Sequence, residues 1–160
     1  MKPVSELDPG TTVRRWEIDA KLGAGGQATT YRAHDLDSGA VVAIKHFSLA
    51  DAVDWKAIEL FEREGRVLES LVHPAIPRFL AAFSESHEGG ATDFFLVQEL
   101  VEGQSLAQLI ADGRRWDEPE LCALAIEVLE VLAWLHERSP PVVHRDIKPS
   151  NLIVRPDGPV

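Results

Sequence analysis

The chain has 160 residues, 45% of them apolar, enough for one domain with a sizeable core, or for one small lobe and part of another. Its 26 acidic residues outnumber 16 lysines and arginines, and a net charge of −10 argues against non-specific binding to nucleic acid or an anionic membrane. The opening MKPVSELDPG lacks the apolar stretch of a secretory signal, and no run reaches the roughly 18 apolar residues of a membrane span.

Residues 1–12 read as a loose leader. From Val13 to about Phe47 the pattern is that of strands: Trp16-Glu17-Ile18, then a glycine-rich turn, then Thr29-Thr30-Tyr31 alternating into Arg32-Ala33. Asp35-Leu36-Asp37-Ser38-Gly39 carries turn chemistry before the β-rich run Ala40 to Phe47, so three antiparallel strands are expected. Residues 55–72 change to a helical period and end at His73-Pro74. Strands follow at Phe79 to Phe83 and Phe94 to Leu100, and a short helix at residues 105–112. Asp117-Glu118-Pro119-Glu120 signals the start of a helix whose stripe is Leu121, Leu124, Ala125, Val128, Val131, Leu132 and Leu135. The single cysteine, Cys122, falls in this pattern and reads as a small buried hydrophobe. It permits no internal disulfide and suits a reducing, cytoplasmic setting. The fold class is α+β, a β-rich first half with one main helix followed by a helical second half from about Gly103.

Three features carry chemistry. In Leu22-Gly23-Ala24-Gly25-Gly26-Gln27-Ala28-Thr29-Thr30-Tyr31, glycines let backbone N–H groups approach phosphate oxygens. Alone, such a turn is more often a plain hairpin. It runs on into strand rather than helix, unlike a dinucleotide-binding turn, and it lacks the Gly-Lys-Ser/Thr of a Walker loop. Second, Val42-Ala43-Ile44-Lys45 ends a strand in lysine. Around the following helix, Ala57, Leu60, Phe61, Val67, Leu68 and Leu71 all lie within about 60° of Glu64. A carboxylate centred on an apolar stripe is costly to bury without a cation, and Lys45 is the natural partner; the alternative is that Glu64 sits at an open edge. Third, His144-Arg145-Asp146-Ile147-Lys148-Pro149-Ser150-Asn151 groups a carboxylate that can accept a hydroxyl proton, a lysine that can neutralise a phosphoryl oxygen, and an amide oxygen suited to Mg²⁺.

Together these motifs, with the hinge-like Val97-Gln98-Glu99-Leu100-Val101, resemble the eukaryotic-like Ser/Thr protein kinases, bacterial members included, from about Trp16 onward. The resemblance implies a β-rich N-lobe and hinge over 13–102 and the helical start of a C-lobe over 103–160. It implies ATP and Mg²⁺ as cofactors and a protein bearing serine or threonine as substrate. Lys45 would hold the α- and β-phosphates and pair with Glu64. Asp146 would be the catalytic base, Lys148 the γ-phosphate contact and Asn151 a metal ligand. Leu22, Gly23, Ala24, Gly25, Gly26 and Thr30 would cover the phosphates. Ala43 and Ile153 would sandwich the adenine, and backbone groups of Glu99 and Val101 would meet its edge, with Gln98 as gatekeeper. His144 and Arg145 look structural. Two positions depart from the family pattern: Ala28 replaces the third glycine and Thr30 the usual valine.

No Asp-Phe-Gly follows Asn151, and Asp93-Phe94-Phe95 belongs to a strand. The expectation is therefore an N-terminal piece of a kinase domain, inactive or nearly so by itself. Competing readings are a pseudokinase or truncated module that binds a nucleotide or a partner, and, further off, a small-molecule phosphotransferase.

Overall fold

A computed structural model describes residues 6–25, 28–49, 55–87 and 91–156. Within the first helix, the side chains of Ala57, Leu60 and Glu64 lie outside the described set. The chain divides into two units after Leu100.

The first unit grows from short connections between alternating strands. Strands β1 (Thr12–Val13), β2 (Trp16–Gly25), β3 (Ala28–Asp35), β4 (Val41–Leu49), β5 (Phe79–Ser86) and β6 (Thr92–Glu99) form one antiparallel sheet in the order β1-β2-β3-β4-β6-β5. The predicted turn after β3 is held by Asp35, whose carboxylate accepts from the N–H groups of Asp37 and Ser38, while Gly39 takes a φ of 71° that favours glycine. Helix α1 (Trp55–Glu69) packs on β5.

Alternation divides the sheet's side chains between two cores. One contains Trp16, Ile18, Tyr31, Ile44, Phe83, Phe95 and Val97, with Trp16 stacked on Phe83. The other, beneath α1, contains Phe61, Phe94 and Leu96, with Phe47, Phe79 and Ala82 packed against it. The leader is less loose than its composition suggests from residue 6 onward. Leu7 packs against the first core and donates its N–H to the Tyr31 hydroxyl at 3.0 Å, Lys21 pairs with Glu6, and Thr12 enters β1. Residues 1–5 lie outside the described set.

A polar cluster at one end of the sheet was not expected from sequence. His46 is 0% exposed and stacked on Phe95, and its Nε2 lies 3.3 Å from Asp93 Oδ1 without the alignment of a hydrogen bond. Asp93 Oδ2 is 2.7 Å from His87 Nε2. Burial pushes the Asp93 carboxyl upward, but hydrogen bonding from Ser48 and His87 and the nearby His46 ring outweigh it and hold the group below its ordinary value. The sign follows from linkage. The contribution of Asp93 to stability is complete above the unfolded carboxyl value of about 4 and is lost as pH falls through the lower folded value. Asp93→Asn should therefore flatten the acid limb of a stability-versus-pH curve from thermal melts; an unchanged limb would remove Asp93 from the acid response.

The second unit comprises β7 (Gln104–Ser105), α2 (Leu106–Ala111), α3 (Glu118–His136) and β8 (Ile153–Val154), with a single 3-10 turn at Pro149–Asn151. Asp117 caps α3 in a reciprocal box: its carboxylate accepts from the Glu120 N–H at 2.9 Å and its own N–H donates to Glu120 at 3.0 Å.

The apolar stripe of α3 is left largely uncovered, and one expectation, a buried Cys122, fails. Of the stripe only Leu135 is buried, at 2% exposure, and Leu121 is 48% exposed, while Ile126 and Leu129 outside the stripe are 55% and 61% exposed. Cys122 is exposed as well. The helix is apolar round most of its circumference, a pattern that needs cover on several sides, and the described residues of this unit cover little of it. The expected result is self-association of the 160-residue chain at micromolar concentration through this apolar surface. Ile126→Lys with Leu129→Lys should reduce the associated fraction severalfold in sedimentation. A cleanly monomeric wild-type chain would contradict this.

Candidate active site

In the first unit, sheet register aligns residues far apart in sequence. Gly23 lies opposite Thr30, Thr30 opposite Lys45, Lys45 opposite Leu96, and Leu96 opposite Ala82. Directly paired residues point to the same face, so this row shares the face that α1 covers with Phe61. The neighbouring row pairs Arg32 with Ala43, Ala43 with Gln98 and Gln98 with Phe79. Lys45 is exposed and Ala43 half-buried.

A Cβ placed on Gly23 would meet no atom within 4 Å, so no neighbouring atom forces glycine there; the space beside it is open. Leu22 falls at a register shift in β2 and is 51% exposed. Such irregularities re-aim side chains off the ladder. Ala24 and Gly25 complete β2 opposite Thr29 and Ala28, and Gly26 lies outside the described residues. Glu64 sits in α1, one turn from Phe61, but its side chain is outside the described set, so the Lys45–Glu64 pair is not among the described contacts. Glu99 ends β6 and donates its N–H to the Arg78 carbonyl at 2.9 Å, which leaves its own carbonyl as the group it can offer a ligand.

In the second unit Val101 is half-buried, and the octet is built around a short clamp. Gln104 pairs with Val154 and Ser105 with Ile153. Ser105 caps α2 by accepting from the Gln108 N–H, and Leu106 donates its N–H to the Leu152 carbonyl at 2.8 Å. Pro149 opens the 3-10 turn that ends at Asn151.

This turn brings three predicted residues together. Lys148 Nζ lies 2.8 Å from Asp146 Oδ2. Asn151 Nδ2 donates to the Asp146 backbone carbonyl at 2.9 Å and to Oδ2 at 3.0 Å. His144 Nδ1 accepts from the Asp146 N–H at 3.3 Å, and Arg145 holds a φ of 63°, so both shape the loop. Hydrogen bonds from Lys148 and Asn151, with the charges of Lys148 and His144, hold the Asp146 carboxyl below its ordinary value. At neutral pH it is an ionised, solvent-facing acceptor. With its amide nitrogen committed to Asp146, Asn151 has its oxygen left for a cation, and oxygen is the donor Mg²⁺ prefers. Among the described residues no group of three or more acidic, histidine or cysteine side chains forms a metal cluster.

Sequence reading missed Gly103, which has a φ of 146° and whose added Cβ would lie 2.4 Å from the Val154 carbonyl oxygen. A glycine just before a capped helix was the available signal. The contact with residue 154 was not.

The protein kinase domain family matches residues 16–160. Relatives include MAP kinase kinase kinase SSK2 of Saccharomyces cerevisiae, 36% identical over 90% of this chain and 9% of its own length. Serine/threonine-protein kinase C of Synechocystis is 36% identical over 88% of this chain and 26% of its own. Serine/threonine-protein kinase cds1 of Schizosaccharomyces pombe is 34% identical over 89% of this chain and 30% of its own. The chain thus spans less than a third of each of these relatives. Members of the family typically use ATP and Mg²⁺, and no described helix is long and apolar enough to cross a membrane. With its glycine-rich strand pair, strand lysine and Asp146–Lys148–Asn151 turn all inside the matched span, the chain belongs to the protein kinase family.

Proposed function

We propose that this chain is the nucleotide-binding and catalytic-loop portion of a cytoplasmic serine/threonine protein kinase, with N-lobe and hinge over 13–102 and the start of a C-lobe from 103. The observation that carries this reading is the Asp146–Lys148–Asn151 cluster, an ionised carboxylate tethered between a cation and an amide.

In this reading Asp146 accepts the hydrogen bond of a serine or threonine hydroxyl and orients its oxygen for in-line attack. Its lowered pKa makes it a weak base, so its main work is orientation, with the proton leaving late. Lys148 balances charge on the transferred phosphoryl oxygens, and Asn151 keeps Asp146 in place through its amide nitrogen, while its oxygen would help hold Mg²⁺. Lys45 draws the phosphates along the open row beside Gly23 and Thr30, with Glu64 as its partner. Leu22, Ala24, Gly25 and Gly26 cover the phosphates. Ala43 and Ile153 flank the base, and the Glu99 carbonyl and Val101 N–H read its edge. Mg²⁺-ATP supplies the phosphoryl group and neutralises its charge.

A second reading is a module that binds nucleotide without transferring phosphate, since the open row of Gly23, Thr30 and Lys45 can hold phosphates whether or not transfer follows. Calorimetric titration with Mg²⁺-ATP should show saturable binding, and incubation with labelled ATP should show no transfer above background. Absence of binding would refute both readings, and robust autophosphorylation would refute the second.

A further inference from the structure

Gly65 lies in the middle of α1, where glycine is among the poorest helix formers. It is buried, and a Cβ there would stand 3.1 Å from the Ala82 Cβ on β5. Carbon atoms pack best at about 3.5–4.0 Å, so a side chain at 65 forces α1 to lift or roll unless β5 yields. One turn earlier, Phe61 meets the stacked pair Phe47 and Phe94 edge-on, at 5.5 and 5.0 Å, and resists a sideways slide. The glycine thus marks a point of close approach between helix backbone and sheet.

That point is placed on the functional row. Ala82 pairs with Leu96, and Leu96 pairs with Lys45. Two strand spacings, about 10 Å, therefore separate Ala82 from Lys45 across one face. Glu64 immediately precedes Gly65 in α1.

We propose that Gly65 is a positioning residue: its contact with Ala82 sets the height of α1 over the Lys45 row and so holds Glu64 within reach of Lys45. The proposal rests on the Lys45–Glu64 pairing given above. Substituents at 65 act through Glu64, and removing the opposing methyl group at 82 restores the space.

Competitive labelling with acetic anhydride at pH 8, with lysines resolved by peptide mass spectrometry, tests both levels in the 160-residue chain. A carboxylate partner suppresses amine reactivity by favouring the ammonium form. Glu64→Gln should speed Lys45 labelling about tenfold. Gly65→Val should speed it at least threefold, with Lys21 unchanged as the internal reference. Adding Ala82→Gly to Gly65→Val should bring the rate back to within about twofold of wild type, a rescue that general loosening of the fold would not produce. If Glu64→Gln changes nothing, the pairing fails and the proposal with it. If Glu64→Gln responds but folded Gly65→Val matches wild type, or Ala82→Gly gives no rescue, the positioning role alone is overturned. Should Gly65→Val not fold, Gly65→Ala carries the same comparison at about twofold, and an unchanged rate there overturns the role.

Discussion

Gly103→Ala is expected to destabilise the clamp of the second unit by on the order of 3 kcal/mol. Two costs add at this position. A φ of 146° is a backbone conformation that residues with a Cβ rarely adopt, and the new methyl group would fall 2.4 Å from the Val154 carbonyl oxygen and 2.8 Å from the Ile153 side chain. The carbonyl belongs to backbone already paired with Gln104, so it cannot retreat without opening the β7–β8 contact. Opening that contact frees the segment following Asn151 and, through it, the turn that ties Asn151 to Asp146. Hydrogen exchange reads this directly. The Leu106 N–H, bonded to Leu152, should lose roughly 100-fold in protection while amides of the β3–β4 ladder keep theirs. Equal protection in the variant would show that the loop is held by something other than this close approach.

Lys45→Met is expected to weaken Mg²⁺-ATP binding by roughly 30- to 100-fold, about 2–3 kcal/mol, the scale of hydrogen bonds to a charged group. Methionine keeps the length and apolar stem of lysine and removes only the ammonium. Lys45 is exposed, so the far-ultraviolet spectrum and melting of the first unit should change little. Titration calorimetry on both chains measures the difference. Unaltered affinity would mean that the row of Gly23, Thr30 and Lys45 is not where the phosphates bind.

Much of the architecture could be read from residue patterns because its causes are local. Alternation in β3 and β4, the helical period before His73-Pro74, and the Asp117–Glu120 cap each lie within one window of sequence. The main strands and helices appear where those signals put them, within a few residues at their ends. The octet was legible for the same reason, since Asp146, Lys148 and Asn151 are neighbours in one turn. The leader was misjudged from residue 6 onward because its anchor, the Tyr31 hydroxyl, is a distant side chain. Cys122 was misjudged because periodicity shows which residues a helix presents together, not whether anything covers them. The cluster of His46, His87 and Asp93 left no trace in any one window, since its members come from different strands and a loop.

By itself the sequence determined the order of elements, the glycine-rich strand connection and the identity of the polar groups in the catalytic-type loop. Backbone preference, period and short-range hydrogen bonding act over a few residues and are written there directly. Tertiary structure alone decided that Gly23, Thr30, Lys45, Leu96 and Ala82 share one row, that Gly65 rests on that row's end, and that Gly103 touches Val154. Those relations depend on strand register and close packing between distant segments. A one-residue slip would send every side chain of a strand to the opposite face, so only the assembled sheet specifies them.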